Sequence, residues 1–311
     1  MVPDPLPGHR WYNCRTKKQK TQGGSSGGIR KRREVRPEGT ENAGKFAGKE
    51  RTAMIAAVDI GNTNIVIGCM DTKTRKVLLT ERISTDRQKT DLEHAISFKT
   101  ILELHHIEPS QIDGAIISSV VPPVTPLFKR AIQKLTNCDV LVVGPGVKTG
   151  LNIAMDNPAT VGADLITGAV AAIDRYPLPV IIIDMGTATT MTVVDTHKNY
   201  IGGVIIPGLR VSLDSLSNRT SQLPHISLDA PRHVIGKNTI DCMKSGSVYG
   251  NAAMLDGMID RMEEELGTKA TVIATGGLAS VVTPLCHHKI KIDDDLLMYG
   301  LLLIYEKNIR S

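Results

Sequence analysis

The chain has 311 residues, 41% of them hydrophobic, enough to build a sizeable core, and no apolar run approaches the roughly 20 residues of a bilayer-spanning helix. Its net charge of +5 is unevenly spread: residues 1–53 hold 13 of the 37 Lys and Arg and 5 of the 32 Asp and Glu, leaving 24 basic against 27 acidic residues in the rest. The body is therefore not a basic nucleic-acid surface, and Cys14, Cys69, Cys138, Cys242 and Cys286, scattered and without a C-x-x-C pair, exclude a disulfide framework and a cysteine zinc site and fit a reducing cytoplasm.

Residues 1–53 are rich in Gly, Ser and charge and poor in apolar side chains, so no packed structure is predicted for them. They lack the apolar core of a secretory signal, and "KRRE" at 31–34 reads as a solvated run rather than a nucleic-acid patch. The expectation is that the native protein starts at Met54 and that the preceding residues are a mis-called start or a dispensable extension.

From Met54 the pattern alternates strands and helices. "MIAAVDI" (54–60) and "IVIGCMD" (65–71) flank a Gly-Asn turn, and "KVLLTERIST" (76–85) completes a predicted antiparallel meander. "DLEHAISFKTILELHHI" (91–107) has helical spacing and is followed by Pro109. "GAIISSVV" (114–121), "VTPLFKRAIQKLTN" (124–137) and "DVLVVGP" (139–145) read as strand, helix, strand, and "GADLITGAVAAIDRY" (162–176) as a helix closed by Pro177. The order then restarts with strands "PVIIIDMG" (179–186), "ATTMTVVDT" (188–196) and "IGGVIIPG" (201–208). Later, "VIATGGLAS" (272–280) runs from a strand through a Gly-Gly turn towards a helix, a shape that brings backbone close to a flat base or a ribose.

The restart is an internal repeat. Asp59 aligns with Asp184, Gly61 with Gly186 and Asn62 with Thr187, each pair 125 positions apart. A Gly-containing hairpin corner lets backbone N–H groups and Asn, Thr or Ser side chains donate to phosphate oxygens, while the Asp at the strand end offers a carboxylate to a divalent metal or its waters. One such corner would be an ordinary turn; two in matching strand contexts point to a grip on a phosphate chain from both sides.

Other signals carry less. "VGPGVKTG" (143–150) lacks the spacing of a dinucleotide fingerprint and reads as a loop. The adjacent pairs His105–His106 and His287–His288 diverge on a helix or strand and read as solvated surface, and the methionines of "MLDGMIDRM" (254–262) as core.

The two corners resemble the phosphate motifs of the acetate-kinase, sugar-kinase, Hsc70 and actin superfamily. Together "DIGNTN", "SSVVPP", "DNPATVGADL", "DMGTATT", "GGVIIPGL", "RTSQLP", "GKNT", "SGSVYG" and "ATGGLA" resemble type III pantothenate kinase over Met54 to Lys307. The resemblance implies an α/β protein of two duplicated ribonuclease H-like (actin-like ATPase) domains, 54–160 and 161–311, with a nucleotide cleft between them. It implies phosphorylation of pantothenate to 4'-phosphopantothenate, the first step of coenzyme A biosynthesis, with ATP, Mg²⁺ and K⁺ or NH₄⁺, in a cytoplasmic homodimer whose active site lies at or near the interface and which uses neither nucleic acid nor membrane.

Carried over by motif, ATP binding falls on Asp59, Gly61, Asn62, Thr63, Asn64, Ile65, Val66 and Thr187, with Asp59 near Mg²⁺ and Asp184 on the monovalent cation. Gly276 and Gly277 are assigned to the nucleotide by superfamily analogy. Gly162, Ala163, Asp164, Leu165 and Thr220 fall on the acceptor, Thr220 reaching in from the neighbouring subunit. Asp164 opens a predicted helix, where the macrodipole favours an ionised carboxylate; that reading allows either a helix cap or a general base, and the resemblance implies the base.

Two positions depart from the pattern. Leu165 stands where the family has an Arg on the pantothenate carboxylate, and Met155 where many members have a substrate-contacting Tyr. A nucleotide-binding regulator without kinase activity, or a kinase for another hydroxylated acceptor, therefore stays open beside pantothenate kinase. Arg210 and Arg219 are alternative partners for the acceptor carboxylate.

Overall fold

The computed structural model describes residues 54–309. The expectations for residues 1–53 lie outside the described residues.

The first half opens with the meander β1 (Met54–Ile60), β2 (Asn64–Asp71) and β3 (Lys76–Ser84), followed by α1 (Asp91–Leu104), β4 (Ile112–Ser119), α2 (Thr125–Thr136) and β5 (Val140–Val142). Its sheet has the order β3-β2-β1-β4-β5, with β1 antiparallel to β2 and parallel to β4. Helix α1 starts where Thr90 and Glu93 satisfy each other's backbone N–H groups in a capping box.

After β6 (Asn152–Ile153) and α3 (Ala163–Arg175), the second half repeats the plan with β7 (Val180–Met185), β8 (Ala188–Val194) and β9 (Asn199–Pro207). Then come α4 (Leu209–Asn218), α5 (Thr239–Leu266), β10 (Thr271–Thr275), α6 (Ala279–Val282), β11 (Lys291–Ile292) and α7 (Leu296–Ile309). The second sheet runs β11-β10-β7-β8-β9-β6, so β9-β8-β7-β10-β11 matches β3-β2-β1-β4-β5 strand for strand. The predicted duplication is therefore present in topology as well as in motif.

Period-two alternation decides what each face does. Ala56, Val58 and Ile60 of β1 pack outward against Phe98, Leu102 and Phe128 of α1 and α2, while Ile55 and Ala57 pack inward. In β7, Ile181, Ile183 and Met185 pack outward with Leu255 and Ile259 of α5, and Val180 and Ile182 inward. Met262 joins that outer core, with Met254 and Met258 packed against it, as expected. The inward positions continue to Asp59 and Asp184, which brings each carboxylate to the cleft at the end of an otherwise apolar face.

Between the two sheets lie α3 and α7. Helix α7 is apolar almost all round, with Leu296, Leu301, Leu302 and Ile304 fully buried, because it has protein on every side. Each such leucine contributes about 1.5–3 kcal/mol relative to exposure. Its crossing with α3 requires Gly300: a Cβ there would collide with the Thr167 carbonyl. Two elements cross the division drawn at 160. Strand β6 pairs with β9 of the second sheet, and α7 packs on β1 and β4 of the first.

Candidate active site

The two corners face one another across the cleft. In the first, Gly61 N donates to Asn64 O (2.9 Å), and Thr85 at the end of β3 braces the turn, its N donating to Thr63 O (2.9 Å) and its Oγ1 to Gly61 O (2.7 Å). In the second, Gly186 N donates to Ala188 O (3.0 Å), and Gly208 N, beyond β9, donates to Thr187 O (3.1 Å). The hydroxyls of Thr63 and Thr187 meet at 2.7 Å. This corrects the alignment of Asn62 with Thr187. The first turn holds Asn62 and Thr63 at its tip and the second only Thr187, so the offset is 125 before the turn and 124 after it.

A cavity of about 230 Å³ lies between the corners. Asp59, Gly61, Asn62, Thr63, Asn64, Val66, Asp164, Asp184, Thr187, Gly276 and Gly277 all line it. Ile65 does not: alternation turns it to the opposite face, fully buried in the outer core of the first sheet. Gly276 has φ +92°, and a Cβ there would stand 2.6 Å from Asp184 Oδ1, so this approach of β10 to the second corner admits only glycine.

The acceptor residues are less concentrated. Gly162 is the N-cap of α3, and Asp164 lies in its first turn with Oδ1 accepting from Leu165 N (2.8 Å). Ala163 and Leu165 turn their half-buried side chains against the core between the sheets. Thr220, exposed beyond the end of α4, donates to Leu216 O (2.9 Å) and is not part of this chain's cleft lining. Arg210 and Arg219 are exposed, and Met155 sits beside Gly202 of β9.

The sequence family described as type III pantothenate kinase matches residues 55–261. A type III pantothenate kinase from an Exiguobacterium sp. is 46% identical over 255 residues, covering 82% of this chain and 99% of the relative. The type III pantothenate kinase of Halalkalibacterium halodurans is 43% identical over 256 residues, covering 82% and 100%. The chain belongs to the type III pantothenate kinase family. Among solved structures, a protein described as a Baf family transcriptional activator from Campylobacter jejuni aligns with TM-score 0.52 at 18% identity, covering 83% of this chain and all of the other. Component A of (R)-2-hydroxyglutaryl-CoA dehydratase from Acidaminococcus fermentans gives 0.52 at 14%, with the same coverage. These likenesses concern the fold, two ribonuclease H-like halves around a cleft.

The cleft gathers three carboxylates. Burial raises Asp59 to about 7; the Ser118 hydroxyl opposes the shift, and Asp164 and Asp184 add to it by repulsion. Burial likewise raises Asp184 to about 6, reinforced by Asp164 and opposed by Arg82. Asp164 is raised as well, because burial outweighs the N–H groups of Leu165 and of Asp164 itself. That is the reverse of what a helix N-terminus alone gives, and it makes the group a stronger base than an exposed carboxylate.

The sequence motifs do not reveal Arg82 of β3, which lines the cleft, or Ser118, the neighbour of Asp59 on β4. Each looks like an ordinary strand residue until the sheet register is known. Sequence reading places His288 in solvent, whereas His288 Nε2 lies 2.9 Å from Asp260 Oδ1. Asp260, Glu263 and His288 hold ligand atoms within 4.8 Å of one another, but Glu263 is engaged by Lys269 Nζ (2.6 Å) and Ala270 N (3.0 Å). The partners of His288 come from α5.

Proposed function

We propose that this protein transfers the γ-phosphoryl group of ATP to the primary hydroxyl of pantothenate, giving 4'-phosphopantothenate and ADP at the entry to coenzyme A biosynthesis. The observation that carries the proposal is the meeting of two phosphate corners over a carboxylate at the start of α3, in a chain of this family. The tip of the first corner, Asn62 and Thr63 with Asn64, and Thr187 of the second hold the phosphates, and Gly276 and Gly277 admit the nucleoside. Gly162, Ala163 and Leu165 border the acceptor. Asp164 accepts the pantothenate hydroxyl proton as its oxygen bonds to γ-phosphorus, and the bond to the β-phosphate oxygen breaks with its electron pair leaving on ADP.

The carboxylates fit cations. Three half-buried carboxyls, all raised by burial, and Asp59 and Asp184 also by repulsion from Asp164, form an all-oxygen donor set suited to hard ions. Asp59 would stand near Mg²⁺ and Asp184 would hold K⁺ or NH₄⁺. Mg²⁺ arriving with ATP supplies charge neutralisation on the β- and γ-phosphate oxygens.

Thr220 completes an acceptor site from a second subunit. The exposed apolar side chains Val211 and Leu216 of α4, with Val234, Ile235 and Ile240 before and within the start of α5, support a homodimer through this face. Among the described residues no helix is long and apolar enough to cross a membrane, and a cytoplasmic site of action goes with the substrates. Leu165 favours one second reading, a nucleotide-binding regulator without transferase activity. ATP consumption with and without pantothenate decides: stimulated turnover with a phosphopantothenate product supports the kinase, binding without turnover the regulator, and turnover only with another hydroxylated acceptor a changed substrate.

A further inference from the structure

The register of the two sheets puts equivalent residues into equivalent rows. Across the first sheet Arg82, Val66, Asp59 and Ser118 are neighbours on β3, β2, β1 and β4. Across the second, Ile205, Thr190, Asp184 and Thr275 are neighbours on β9, β8, β7 and β10. Directly opposed residues share a face, so Arg82 leaves its strand on the side where Asp59 meets the cleft. Its counterpart in the second half is Ile205, an exposed apolar residue. The duplication therefore has a cation in one half only.

An arginine on an outer strand is ordinarily a solvated surface group. Arg82 differs in direction. It reaches from the first half to the second, where a Cβ added to Gly277 would stand 3.0 Å from its Nη1. Its charge is felt at Asp184. Among the described residues lining the cleft it is the one cation against Asp59, Asp164 and Asp184, and it makes no hydrogen bond or salt bridge there. A triphosphate entering this cleft meets three carboxylates of its own sign; the corners' own residues are neutral donors, and Arg87, whose Nη2 donates to Asn62 Oδ1 (3.0 Å), stays outside the cleft lining. A guanidinium, with its planar fork of N–H groups, matches two non-bridging phosphate oxygens at once, which an ammonium does not.

We propose that Arg82 is a catalytic residue of the cleft, moving from beside Gly277 onto the terminal phosphates of ATP and holding them through transfer. This rests on the kinase reading above. Arg82 is exposed, so its replacement leaves the core intact.

The test is Arg82→Ala and Arg82→Lys, with nucleotide binding by calorimetry and steady-state kinetics. Arg82→Ala weakens binding of a non-hydrolysable ATP analogue about ten- to a hundredfold, weakens ADP less and leaves adenosine unchanged, and kcat/KM for ATP falls at least as far. Arg82→Lys recovers only part of the loss, and the KM for pantothenate is unaltered in both. Equal weakening of analogue, ADP and adenosine, or analogue binding and turnover like the parent, overturns the proposal. Binding is read without pantothenate: if the parent turns over no pantothenate yet Arg82→Ala loses the analogue selectively, the kinase reading fails while the phosphate contact stands.

Discussion

Thr63 and Thr187, at matched points of the duplicated corners, touch hydroxyl to hydroxyl at 2.7 Å and close the cleft at its tips. On the proposed reading, a phosphate chain passing between the corners would take over both hydroxyls. Thr187→Val keeps the shape and removes the donor, so the KM for ATP is expected to rise about three- to tenfold, the value of one neutral hydrogen bond. Thr187→Ser is expected to keep the parent value. A Thr187→Val enzyme with unaltered ATP KM places the phosphates elsewhere.

Asp164→Asn preserves size but accepts no proton. Turnover is expected to fall on the order of 10² to 10⁴, with ATP binding retained. Because burial raises the Asp164 carboxyl, the acid limb of the parent kcat–pH profile is expected above the ordinary carboxylate range, as the base works only when ionised. Single-turnover measurement across pH checks both points; near-normal turnover in the variant removes Asp164 from the role.

Asp59 gives a stability prediction with a definite sign. Its carboxyl is raised from 3.8 to about 7, so the fold favours the protonated form. The associated stability is present below the unfolded value and is lost as pH rises through about 7. Thermal melts of the ligand-free protein are therefore expected to fall from pH 5 to 8. Asp59→Asn, which cannot ionise, is expected to be more stable at pH 8 by on the order of 2–4 kcal/mol and so to melt at a higher temperature, with a smaller gain at pH 5. A gain independent of pH argues against this origin.

Leu165→Arg tests the departure at the acceptor. A charged hydrogen bond to the pantothenate carboxylate is expected to lower the pantothenate KM about tenfold to a hundredfold and to leave the ATP KM alone. Leu165 packs against the core between the sheets, so the same variant is expected to lose thermal stability. An unaltered or raised pantothenate KM points to another carboxylate partner, with Arg210 and Arg219 the first to replace.

Strands β1–β5 and β7–β10 and helices α1–α3 were legible because alternation, helical spacing and the Asp-x-Gly corners are local signals. What stayed hidden depended on pairing across the fold. The extra tip residue in the first corner shows only when Asp59 pairs with Val66 and Asp184 with Thr190. Ile65 belongs to a binding motif in sequence and to the core in space, since a strand gives alternate residues to opposite faces. Strand β6, only two residues long, carries no readable period. Helix α7 was not among the predicted elements, and its packing against the first sheet shows only in the fold. Arg82 reads as the outer face of β3 until its row with Asp59 is drawn.

The position of α7 constrains the order in which the molecule is completed. The inner face of the first sheet, with Ile55, Ala57 and Ile116, is covered in part by a helix that is synthesised after every strand of both sheets. During synthesis the N-terminal half can form its hairpins and its outer core with α1 and α2, yet its other face stays open to water and to other nascent chains until residues 296–309 emerge. The duplicated halves thus do not mature as two successive independent units: α7, made after the strands of both sheets, seals the inner face of the first, and the nucleotide cleft is finished only then.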